Sequence, residues 1–143
     1  MIATTLGTAA APRPNTGRSV FAVFVGFFAV FVLSLGTDQI LHVLTVYPPW
    51  GEPMHDPKLN LLALSYRLIF NTVGSYLMAR LAPQNPMKHV WIGAGIGFVL
   101  SMLGVVAGMT ADLGPMWYPI VLAISAFPTA WLGGKLFTRS ASR

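Results

Sequence analysis

The chain has 143 residues, of which 55% are hydrophobic and 9% charged, with a formal net charge of +5 and no cysteine; its mean hydropathy is +0.65. Soluble domains carry about 25% charged residues, so this composition excludes an ordinary soluble fold and points to a one-domain integral membrane protein. The lack of cysteine excludes disulfides, thiolate metal sites and a cysteine nucleophile, and basic residues scattered at the edges of apolar runs argue against nucleic acid as a partner.

Residues 1–18 are rich in Thr, Ala and Pro, with Arg13 and Arg18 and no acid, and read as a disordered basic tail. Their arginine density is too low for a transit peptide. The first expected span is 19–44. As a signal peptide it would need an over-long apolar region before Ser34-Leu35-Gly36, and apolar residues resume at Ile40, so a retained helix is expected. Ser34, Asp38, His42 and Thr45 share one face of it. Asp38 is the only acid inside any expected span. The loop that follows carries Pro48, Pro49, Pro53 and Pro57, which exclude regular helix. Tyr47 and Trp50 suit the aromatic belt at a membrane interface, and Glu52, His55 and Asp56 are the loop's ionisable groups.

The second expected span, 59–81, holds Arg67 near its middle. A central charge costs about 2.5–3.5 kcal/mol on insertion scales, and each Leu, Ile, Phe or Val returns about 0.3–0.6. Leu61, Leu62, Leu64, Leu68, Ile69, Phe70 and their neighbours offset the arginine with little margin, so Arg67 needs an acceptor and a face turned away from lipid. Asn60, Arg67, Asn71 and Gly74 recur along such a face.

The third expected span, 87–110, carries Gly93, Gly97 and Ser101 at small-xxx-small spacing, repeated at Gly104 and Gly108. This ladder is the expected surface of close helix packing, within the bundle or against another copy. The GAGIG run at 93–97 is no dinucleotide fingerprint, because no strand precedes it. The fourth expected span, 115–137, contains Pro128, which should bend it and leave the Ile124 carbonyl to Ser125, water or another helix. Trp117, Tyr118 and Trp131 read as belt or packing aromatics. A basic tail, 138–143, closes the chain.

A cytoplasmic N-terminus puts Arg13, Arg18, Arg80, Lys88, Lys135, Arg139 and Arg143 inside and Glu52, Asp56 and Asp112 outside, as the positive-inside rule requires. The expected fold is therefore all-α: four antiparallel transmembrane helices in the plasma (inner) membrane, with both termini cytoplasmic. That topology brings Asp38 and Arg67 to similar depth on consecutive helices. They are expected to pair, with His42 and Asn71 around them. The functional expectation is a non-enzymatic membrane protein that binds or passes an ion or small solute at an outward-facing polar cluster, or serves as an accessory subunit. Its partners would be the lipid bilayer and a second copy or a membrane complex; no cofactor is favoured. The alternative is a membrane enzyme with a metal held by Asp38, His42 and His55, aided by Glu52 or Asp56.

Overall fold

A computed structural model describes residues 15–143. Among them it contains four helices and no strand: α1 (Thr16–Val43), α2 (Pro57–Leu81), α3 (Pro86–Ala111) and α4 (Trp117–Ala141). Most of the expected basic N-terminal tail, residues 1–14, lies outside the described residues. Its last residues belong to α1, which starts at Thr16 rather than Ser19. At the other end α4 runs on through Arg139 to Ala141, so most of the expected C-terminal tail is helical.

Local chemistry sets the helix limits. Pro57 opens α2 with its fixed φ and missing N–H, and the Asp56 carboxylate caps the turn by accepting from the Lys58 amide at 2.8 Å. Pro86 opens α3 in the same way, behind Asn85 in the left-handed region. That helix ends at Asp112, also left-handed.

Three helices, α1, α3 and α4, are long and apolar enough to cross a membrane. They leave large side chains uncovered: Phe21, Phe24, Phe28 and Phe31 on α1, and Val99, Leu103 and Val106 on α3, are all more than half exposed. Such a surface is untenable in water and ordinary in lipid. Helix α2 is as long as α4 but is more polar and more buried, since it packs against each of the other three.

The core is built from small residues. Ala63, Ala79, Ala94, Ala123 and Ala130 are buried, with Met78 and Val90 filling between them. Backbone approaches closest at isolated glycines. A Cβ added at Gly26 of α1 would stand 2.8 Å from the Gly74 carbonyl oxygen of α2, and one added at Gly74 would meet Gly26 at the same distance. A Cβ at Gly133 of α4 would lie 2.9 Å from the Tyr76 amide nitrogen of α2. Within the third helix Gly93 meets Met78, Gly97 makes ordinary contact with Phe27 at 3.7 Å, and Ser101 is half-buried. A Cβ added at Gly108 would lie 3.7 Å from Met116, and one added at Gly104 would meet nothing within 4 Å beyond its own stretch of helix among the described residues. In a single chain the close helix contacts thus run through Gly26, Gly74 and Gly133 more than along the α3 ladder.

Pro128 lies inside α4. The Ser125 hydroxyl donates to Leu122 at 2.7 Å, so it is not the group that meets the Ile124 carbonyl. Thr129 donates back to the Ser125 carbonyl at 2.7 Å.

Candidate functional site

Asp38 of α1 and Arg67 of α2 meet. Arg67 donates from Nη2 to Asp38 Oδ2 at 2.6 Å, a charge-assisted bond. Asp38 is 6% exposed, and its other oxygen accepts from the Tyr66 hydroxyl. Arg67 also donates from Nη1 to the Tyr118 oxygen of α4 at 2.6 Å, with its guanidinium 5.8 Å from the centre of that ring. Tyr47, in the loop after α1, lies 3.1 Å from the Tyr66 oxygen. Tyr66 spends its only hydrogen on Asp38, so Tyr47 is the donor of that pair. Burial pushes the Tyr47 phenol above its ordinary pKa.

The result is one directed chain. Tyr47 donates to Tyr66, Tyr66 to Asp38, and Arg67 to both Asp38 and Tyr118. It ties three helices and a loop. Two donors leave it incomplete. Among the described residues, Arg67 Nε is buried with no partner and the Tyr118 hydrogen is committed to no bond.

Neither of the other expected neighbours has a hydrogen bond to the pair, although the His42 ring meets Tyr47 edge-on with ring centres 5.5 Å apart. His42 stacks on Trp50, ring centres 4.0 Å apart, with its Nδ1 buried and unpartnered. Trp50 is itself held by its indole N–H on Gln39 at 3.1 Å. Asn71 has no bond to Arg67 and lines a cavity of about 200 Å³ together with Ser75, Ser101 and Thr129. Tyrosines, rather than His42 and Asn71, surround the ion pair. A buried carboxylate offers about four lone-pair sites. That count signals that one arginine cannot satisfy Asp38, and Tyr66 is adjacent to Arg67 in sequence.

Contrary to the metal-enzyme alternative, the expected metal set is not brought together. Asp38 is engaged by Arg67 and Tyr66, and His42 by Trp50. His55 faces Asp112 across 3.8 Å, and Asp56 caps α2. Glu52 lies exposed in the loop. Among the described residues no group of three His, Cys, Asp or Glu side chains could hold a metal ion. Two of the candidate ligands, Asp38 and Asp56, are committed to other partners.

The loops near this end of the bundle are joined as well. The Met54 amide donates to the Leu113 carbonyl at 2.9 Å, bridging the α1–α2 loop and the α3–α4 turn. Asn60 holds the near side, donating to the Met54 and Asp56 carbonyls, each at 2.9 Å.

Comparison with known proteins brings no relative to this site: no family model, no curated protein and no solved structure matches the chain.

Proposed function

We propose that the chain is a non-enzymatic polytopic protein of the plasma membrane in which α2 crosses along with α1, α3 and α4. Both termini lie in the cytoplasm, and the Asp38–Arg67 network forms an outward-facing site that binds or passes a small ion or polar solute. One observation carries this reading: a part-buried guanidinium keeps a buried Nε without a partner among the described residues, beside its carboxylate partner and inside an otherwise apolar bundle. Intramembrane charges are expensive, and they mark ion or proton pathways more often than they serve packing. The distribution of Arg80, Lys88, Lys135 and Arg139 at one end and Glu52, Asp56 and Asp112 at the other supports the orientation.

Proteoliposomes test the site. Wild-type protein should dissipate an imposed proton or anion gradient faster than empty vesicles, and Asp38→Asn with Arg67→Met should remain folded yet lose the flux. Wild-type leakage equal to that of empty vesicles would remove the solute reading. An alkaline phosphatase fusion after Arg143 tests the orientation: activity there would invert it.

A second reading, accessory subunit of a membrane complex, is favoured by the exposed Phe21, Phe24, Phe28 and Phe31 on α1. In that case the network only locks three helices, and co-purification of a partner from mild detergent would depend on that α1 face.

A further inference from the structure

Between α1 and α3, at the end opposite the Asp38 network, lies an open groove of about 650 Å³. These two helices run in the same direction and touch little, so the groove separates two spans whose N-termini lie side by side. Its walls are Val20, Val23, Phe24 and Phe27 from α1 and Ile92 and Ile96 from α3. Its rim is polar, with Ser19, Gln84, Lys88 and His89. From Thr16 to Phe27 the α1 wall is about 16 Å long at about 1.5 Å per residue. One leaflet of hydrocarbon, half of about 30 Å, has the same depth.

The rim is built for negative charge. Neither α1 nor α3 has a side-chain cap bond or an acid in its first turn, so two positive helix ends stand uncompensated there. Lys88 adds an exposed ammonium from the first turn of α3, and Arg18 lies in the first turn of α1. His89 supplies a separate sign. It is only 8% exposed, its Nδ1 lies 3.2 Å from the Asn85 carbonyl, and its Nε2 has no protein partner in the groove wall.

We propose that this groove holds an anionic phospholipid, with one acyl chain between α1 and α3 and the phosphate at the Lys88–His89 rim. The occupant follows from three matched properties: apolar walls of leaflet depth, a cationic rim at the headgroup level, and direct access from the lipid around two exposed helices. A water-soluble anion would have no use for the apolar walls. A zwitterionic lipid would leave the rim charge unmatched. This inference rests on the membrane reading above.

Native mass spectrometry of the full chain, with phosphatidylglycerol and phosphatidylcholine added in equal amounts, tests it. Wild-type protein should retain phosphatidylglycerol preferentially. Lys88→Gln should lower that retention about fivefold, the worth of one basic residue near an anionic surface, and leave phosphatidylcholine unchanged. Val23→Trp should fill the groove and remove both lipids. Equal retention of the two lipids by wild type would overturn the proposal, as would Lys88→Gln without effect. Displacement of the lipid by inorganic phosphate regardless of acyl chain would also overturn it, leaving an ion site only. Flotation with vesicles separates the two failures. A chain that does not float loses the membrane reading, and one that floats without phosphatidylglycerol preference loses only the lipid site.

Discussion

The two halves of α2 are held by opposite means. Its N-terminal half is fastened by polar side chains: Asn60 to loop carbonyls, Tyr66 to Asp38, and Arg67 to Asp38 and Tyr118. Its C-terminal half is fastened by the absence of side chains, with Gly74 against Gly26, and Ser75 and Tyr76 against Gly133. In lipid the hydrophobic effect gives helices no reason to associate, so packing and interhelical hydrogen bonds must do it. The difference teaches that the two devices differ in tolerance. A glycine contact fails when anything is added, whereas a polar contact fails when one partner is removed and recovers partly when both are.

The largest effect should come from the glycine half. Gly74→Leu places a branched side chain where the Gly26 carbonyl already stands, and α1 must separate from α2 along its length. Gly133→Leu does the same between α4 and α2. Both should abolish the folded bundle, read as loss of a cooperative unfolding transition in detergent. A wild-type transition in Gly74→Leu would show that the helices do not meet there.

Next comes the ion pair. Asp38→Asn and Arg67→Met should each cost about 3–5 kcal/mol, because each strands a buried charge. The double variant should regain part of that loss, which a double-mutant cycle in detergent denaturation would measure. Strict additivity would mean that the two residues do not interact. Smaller again are Tyr66→Phe and Tyr118→Phe, each removing one bond to a charged partner at about 1.5–3 kcal/mol. If Tyr118→Phe is neutral while Tyr66→Phe is not, the α4 link is dispensable and the network belongs to the α1–α2 pair alone.

The smallest effect should be at Gly104. With no atom within 4 Å of an added Cβ, Gly104→Leu should change stability by less than about 0.5 kcal/mol. A large loss would mean that this face of α3 packs against a second copy.

What the sequence made legible follows the cost of each feature. Three apolar helical stretches stand out because nothing else in 143 residues is so uniformly nonpolar. Asp38 and Arg67 stand out because a charge in such a stretch has to be answered. Tyr66 and Tyr118 do not, since tyrosine costs little in either setting and reads as a belt residue. The same holds for glycine. Spacing drew attention to α3, where glycines repeat, but spacing does not say which face a partner covers. The isolated Gly26 and Gly74 carry a close backbone contact and have no repeat to announce them. The His42–Trp50 stack escaped because it joins a helix end to a proline-rich loop, where no periodicity operates.

The pairing of Asp38 with Arg67 also bears on how the chain is made. On the proposed topology α2 is the span least able to enter the bilayer alone, and its counter-charge sits on the helix synthesised just before it. By the time Arg67 leaves the ribosome, α1 is already available to the insertion machinery with Asp38 in place. The first two helices then enter as a hairpin, and a chain lacking α1 should leave α2 on the wrong side of the membrane or outside it.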